Sequence, residues 1–452
     1  MRQPIGRLRQ LWEYLRSSLW FLPTLLVGVG VALAAALIES ESFVEREQLT
    51  TRWPRLFGAG AEGSRGMLAA IASSMITVAG VAFSITVVAF TLASSQYTSR
   101  ILRNFMRDRS NQAVLGVFLG VFAYCLVVLR TIRGGDEEVF VPSVAVLVAV
   151  LLAFVAIGFL VFFIHHIASS IQASYIIEGA SEETIGAIER LFPEENRADE
   201  ETPLSAPIPT QANWRMIPAR TTGYIQGIDE DSLNRVATES QTIIRMERTI
   251  GDFVIEATPL AFIAGGKETT TELAGTINAA CTIGRYRTVY QDVAFGIRQI
   301  VDIALKALSP GINDTTTAVI CIDFLGAILV RLAPRSLETA RSRHQRVILP
   351  RQTFAGFLGD AFAQIRQNAD GNVAVLKRLL EILEIISGQT TDPSRRQELT
   401  EHAALVMEIV ERSVPSAADR QTIKAAMERF LETSSSMQPA LRSTRSRHPH
   451  PG

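Results

Sequence analysis

The chain has 452 residues, 48% of them apolar and 20% charged, with a net charge of -1. That apolar content excludes disorder over the whole length, and the near-neutral balance leaves no basic excess, so no nucleic-acid partner is expected. Three scattered cysteines, Cys125, Cys281 and Cys321, exclude a disulfide framework and a thiolate zinc site, and no metal or cofactor is expected.

Charges divide the first 178 residues into four uncharged blocks: 22 residues between Arg16 and Glu39, 34 between Arg65 and Arg100, 20 between Arg109 and Arg130, and 39 between Glu138 and Glu178. About 20 apolar residues cross a bilayer. All four blocks qualify, and the pattern predicts spans near 18–38, 68–93, 111–129 and 141–164. The first block starts among arginines and holds Ala34-Ala35-Ala36, but its apolar core is longer than that of a signal peptide, and three more spans follow it.

Arginines set the expected orientation. Arg2, Arg7, Arg9 and Arg16 precede span one, and Arg100, Arg103, Arg107 and Arg109 follow span two. The loop after span three has Arg133 against Asp136, Glu137 and Glu138. The expectation is an integral membrane protein with both termini cytoplasmic.

Span two is the most polar. Thr77, Ser84, Thr91 and Thr98 recur every seven residues, with Ser73, Gly80 and Ser95 close to the same stripe. Ser73, Thr77, Ser84, Thr91 and Thr98 are therefore candidate pore-lining residues, although the same stripe also suits close helix packing. No Asp, Glu, Lys or Arg lies inside a span, which argues against an active carrier. His165 and His166 end span four. Adjacent helical positions point about 100° apart, so they read as interfacial residues rather than a two-histidine site.

Residues 179–213 form an acidic, proline-containing linker. From Trp214 to Ala264 the pattern becomes strand-like, and Asp229 or Ser232 can cap a short helix within it. The phrase from Gly251 to Ile263 resembles the turn-and-strand unit of a lipoyl/biotinyl half-barrel, without the lysine that carrier chemistry needs. The rest reads as helices near 269–283, 289–308, 315–332, 352–388, 395–413 and 416–432. A Ser, Pro, Arg and His-rich tail closes the chain.

One constellation stands out between Gly284 and Ala318. Asp292, Phe295, Gln299, Asp302 and Lys306 share a helix face, and Arg298 and Asp302 form an i,i+4 pair. Ser309-Pro310-Gly311 ends that helix, and Asn313 or Asp314 can cap the next. Asp292, Arg298, Asp302, Asn313 and Asp314 are either a site for a small ion or ligand or the polar turn of a helical hairpin.

AGVAFSITVVAFTLASSQYTSRIL (residues 79–102), QDVAFGIRQIVDIALKALSPGIND (291–314) and the following TTTAV resemble a large family of bacterial predicted membrane proteins, catalogued as a domain of unknown function. The resemblance covers roughly residues 10–430 and implies four spans followed by a β module and helices, in a bacterial inner (plasma) membrane. The family often has proline after the Asn-Asp pair. Here Thr315 stands there, which leaves Asp314 able to cap.

Gly58, Gly60 and Gly63 match a dinucleotide-binding spacing but follow no strand. No nucleophile sits beside a base at a recognisable spacing, so no catalytic residue is assigned and an enzyme is not expected. The expected fold is a mainly α membrane protein. Its parts are a four-helix transmembrane domain (1–178), the linker, a small β module (214–264), a helical cytoplasmic domain (265–433) and a tail (434–452). Two functions fit. One is an oligomeric ion channel or passive transport protein with a cytoplasmic regulatory or assembly domain. The other is a membrane-anchored sensor or scaffold. The expected partners are the lipid bilayer, further copies of the chain, and a small ion or ligand.

Overall fold

The computed structural model describes residues 20–41, 60–96, 108–133, 140–192, 213–265, 271–337, 346–350 and 352–436. The chain divides between Tyr175 and Ile176 into two compact units.

The first unit contains α1 (Phe21–Glu41), α2 (Ala61–Gln96), α3 (Arg109–Thr131) and α4 (Ser143–Ser170). All four are long and apolar enough to cross a membrane. At 1.5 Å per residue, the 36 residues of α2 reach about 54 Å, well beyond the hydrocarbon thickness. Because these helices are apolar almost all round, hydrophobicity does not choose their contacts; small residues do. α3 packs on α1 through glycines. A Cβ on Gly120 would lie 2.9 Å from the Leu26 carbonyl oxygen, and one on Gly30 would lie 2.5 Å from the Gly120 oxygen. α2 buries Leu68, Ala72, Met75, Ala79, Ala82 and Ala89. The Tyr124 hydroxyl donates to the Ala145 carbonyl at 2.8 Å and ties α3 to α4.

The second unit opens with most of α5 (Ala173–Leu191) and continues into an α+β module. Its elements are β1 (Arg215–Pro218), β2 (Gly223–Ile228), α6 (Glu230–Glu239), β3 (Thr242–Met246), β4 (Phe253–Val254), β5 (Pro259–Gly265), α7 (Thr271–Ala280) and β6 (Cys281–Gly284). β7 (Val347–Ile348) joins later. The strands form two sheets, ordered β1-β5-β3-β7 and β4-β2-β6.

These pairings reveal an internal pseudo-two-fold repeat. β1-β2-α6-β3 and β4-β5-α7-β6 are the same β-β-α-β path, and each half lends its second strand to the other. β5 lies between β1 and β3, while β2 lies between β4 and β6. Leu233 and Ala237 in α6 correspond to Leu273 and Ile277 in α7, all buried at the same spacing. Arg248-Thr249 and Asp252 follow β3 much as Arg287-Thr288 and Asp292 follow β6. Since β2 and β5 find no ladder partner in their own half, neither half completes a sheet alone. This differs from the half-barrel resemblance, because each half carries a helix. β6 overlaps the end of the helix expected over 269–283, and β7 falls between the helices expected over 315–332 and 352–388.

The remaining helices are α8 (Val293–Ala307), α9 (Thr315–Leu332), α10 (Phe354–Asn368), α11 (Val373–Ser387), α12 (Pro393–Ser413) and α13 (Ala417–Ser436). The single helix expected over 352–388 is two, because Gly371 takes φ +73° and Asn372 caps α11, accepting from the Val375 N–H. α9 is a fifth helix long and apolar enough for a span. It is instead a core helix of this unit: Cys321, Ile322, Leu325, Ile328, Leu329 and Leu332 are fully buried, and Asp323 accepts from Arg378 of α11 at 2.6 Å. A helix that is apolar all round is satisfied by a protein core as well as by lipid. α5 meets α8 at Gly296, where a Cβ would lie 2.0 Å from the Thr184 hydroxyl oxygen.

Candidate functional site

On α2, Ser73, Thr77, Ser84 and Thr91 are all exposed on the surface of the first unit, and Gly80 faces open space. At 100° per residue they centre about 180° from the face packed on the other helices. Thr77 and Thr91 donate to the carbonyls of Ser73 and Val87, at 2.8 and 2.9 Å. Such internal bonds lower the cost of a hydroxyl in an apolar medium and leave its acceptor lone pairs open. On either side the stripe is flanked by exposed Val81, Ile85 and Val88, and by Ile76, Phe83 and Val87. Thr98 lies outside the described residues, as do Arg2, Arg7, Arg9, Arg16, Arg100, Arg103 and Arg107.

The candidate polar cluster is spread along one helical hairpin. Asp292 caps α8, accepting from the Phe295 N–H at 2.9 Å. It is 4% exposed and takes two bonds from Arg287, from Nε at 2.8 Å and Nη2 at 2.9 Å. The guanidinium also lies over the Phe295 ring, 5.2 Å from its centroid. Gly251, in the other half of the repeat at φ +90°, sits so close to this pair that a Cβ would lie 2.5 Å from Asp292 Oδ2. Arg298 and Asp302 pair at 2.6 Å, and Arg298 also donates to Gln364 at 2.8 Å.

Asn313 takes φ +48°, which places Asp314 to cap α9. Asp314 accepts from the Thr317 N–H at 3.0 Å and the Thr317 hydroxyl at 2.6 Å. Those two bonds hold its carboxyl below the usual carboxylate range. Asp292 caps the start of α8 and Asp314 the start of α9, so the 15 residues of α8, about 22 Å long, lie between them. The five residues therefore form three separate polar contacts.

A cleft of about 320 Å³ opens where the α+β module meets the helices. Ile228, Ile250, Leu349 and Phe357 supply apolar walls, and Thr249, Gln291 and Asp292 supply polar ones. Only Asp292 of the sequence candidates reaches it. Gln291 is fixed there, its side-chain oxygen accepting from the Ile228 N–H at 3.0 Å.

Sequence reasoning missed one pair. His166 Nε2 lies 2.5 Å from Asp108 Oδ2, and Asp108 Oδ1 accepts from the Ser110 N–H as the cap of α3. His166 stacks on Phe162. One turn into α3, Asn111 is 6% exposed, and its side-chain amide has no partner among the described residues. No sequence signal links positions 58 apart. Among the described residues no group of three or more His, Cys, Asp or Glu is placed to hold a metal. Burial pushes the Cys281 thiol up to about 12, too high for a nucleophile at neutral pH.

The family model described as Predicted membrane protein (DUF2254) matches residues 16–385. The chain belongs to this family. The DUF2254 match runs from the first span through the α+β module into α11. Proteins Mb1321c of Mycobacterium bovis and Rv1290c of Mycobacterium tuberculosis, both described as uncharacterized, are 34% identical over 439 residues, covering 95% of this chain and 83% of each relative. No solved structure matches. With four N-terminal helices apolar enough to span, it is a multi-pass membrane protein.

Proposed function

We propose that the protein is an oligomeric channel or passive transport protein in which α2 presents its hydroxyl stripe to the path. The observation that carries this reading is the outward placement of Ser73, Thr77, Ser84 and Thr91, on the side of α2 farthest from its packed alanines. A helix meant only for lipid would put its polar residues inward and its apolar ones outward. Here the outermost strip is polar and the flanks are apolar, which suits contact with water or with further copies of α2. Four spans leave little room for an internal pore, so the path lies between protomers. The mycobacterial relatives support a bacterial inner membrane, the arginine distribution supports both termini in the cytoplasm, and the second unit would then regulate or assemble the channel.

The test is single-channel recording from full-length protein in planar bilayers, with the oligomeric mass measured in the same detergent. Discrete currents from an oligomer, reduced by Thr77→Leu or Ser84→Leu, are expected. Because both positions are exposed on the protomer, the variants should fold and insert normally. Unchanged currents in well-folded variants refute the role of the stripe. A silent, monodisperse wild type favours a membrane-anchored sensor instead. The cleft of about 320 Å³ supports that second reading, and a small-molecule thermal-shift screen would pursue it.

A further inference from the structure

The four-stranded sheet has one face on the module's core and one turned away from it. Ile217, Ile244, Ile263 and Val347 are on the buried side. The register places Met216 beside Phe262, Phe262 beside Arg245, and Arg245 beside Ile348, so one residue from each strand forms a continuous outward row. Trp214, two residues before Met216, falls on the same side. Met216 is 48% exposed. The Arg245 guanidinium lies over the Trp214 ring at 4.5 Å and over the Phe262 ring at 5.2 Å. Among the described residues it has neither an ion-pair partner nor a hydrogen-bond acceptor. Strand alternation adds Arg346 and one acid, Glu247, to this side.

A guanidinium held by two aromatic faces is fixed in position with its planar fork of five donors unused, a preorganised receptor for an oxyanion. Around it lie an indole, a phenyl ring, a thioether and an isoleucine, which no soluble oxyanion requires. Aromatic side chains beside arginines are the chemistry of the bilayer interface, where rings lie at headgroup depth and guanidinium groups meet phosphate. The chain spans a bilayer whose surface supplies that chemistry. We propose that this sheet face docks on anionic phospholipid, with Arg245 receiving the headgroup phosphate and Trp214, Met216, Phe262 and Ile348 entering the interface.

The test uses full-length protein in nanodiscs of phosphatidylcholine alone or mixed with phosphatidylglycerol, each with or without brominated acyl chains. Trp214 quenching is read as the difference between wild type and Trp214→Phe, since Trp12, Trp20 and Trp53 are common to both. Quenching is expected in the phosphatidylglycerol discs and not in phosphatidylcholine. Arg245→Gln should weaken it about fivefold, and high salt should weaken it further. Arg245→Lys, which keeps the charge but not the planar stack, should retain part of it. Should Arg245→Gln fail to fold, Met216→Asp, at an exposed position of the same row, takes its place. Trp214 emission indifferent to bromine, or quenching indifferent to lipid charge, overturns the proposal. So does inorganic phosphate shifting Trp214 emission while bromine has no effect, which would assign the receptor to a soluble anion. No ion flux enters the measurement, so its outcome is separate from that of the channel reading.

Discussion

The two units bury opposite kinds of surface. In the first, the packed face of α2 is mostly alanine and its exposed flanks are Val, Ile and Phe. In the second, helices such as α8 bury Ile297, Ile300, Val301 and Ile303 and keep Arg298 and Lys306 toward water. Lipid is as apolar as leucine, so large side chains gain nothing by leaving it, and close backbone approach decides contacts there. In water, apolar area decides. One chain thus follows two packing rules, and variants can separate them.

The largest effect is expected in the second unit. Asp292→Ala removes a buried carboxylate, strands Arg287 and uncaps α8, so it should cost about 3–5 kcal/mol. Asp314→Ala, an exposed cap, should cost about 1 kcal/mol. Urea unfolding of the full chain in detergent, followed by far-UV circular dichroism, measures both. Near-equal costs would mean that the Arg287 brace contributes little.

Gly120→Leu attacks the other rule. It adds apolar volume, harmless on a lipid-facing surface, but here the first atom meets the Leu26 carbonyl. A loss of about 1–3 kcal/mol is expected, read as a fall in thermal stability in detergent. Leu at Gly158 of α4, where nothing lies within 4 Å of a Cβ, should leave stability unchanged. If the two variants behave alike, backbone approach is not what holds α1 to α3.

The smallest effect concerns pH. Burial, with Arg366 nearby, holds His402 below its usual value. A histidine depressed in the folded state binds fewer protons folded than unfolded. Its stabilising contribution is therefore full above the ordinary imidazole range, near 6.5, and is lost as pH falls through it. Unfolding at about pH 8 and about pH 5 should show a loss in wild type that His402→Gln reduces. An identical loss in the variant would assign the pH dependence elsewhere.

Much of the architecture was legible before any coordinates. Four uncharged blocks gave the spans, because hydrocarbon thickness sets a length that composition displays directly. The caps of α6 and α9 were narrowed to Asp229 or Ser232 and to Asn313 or Asp314, because capping is a local bond within three residues; Asp229 and Asp314 take the role. The candidate site was less legible. Asp292, Arg298, Asp302, Asn313 and Asp314 look like one cluster in a sequence of 23 positions, yet a 15-residue helix holds its two ends apart. The break at Gly371 was missed because a lone glycine in a helical pattern does not reveal its φ.

By itself the sequence determined the membrane location, the division of the chain into an apolar and a mixed half, and the local helix ends. Each depends on composition or on neighbours within a turn. The tertiary structure alone decided which face of α2 turns outward, that β2 and β5 exchange between the halves of a hidden repeat, that Asp108 meets His166, and that Arg245 rests between Trp214 and Phe262. Those contacts join residues tens of positions apart. They follow from strand register and close helix approach, which no short-range pattern encodes.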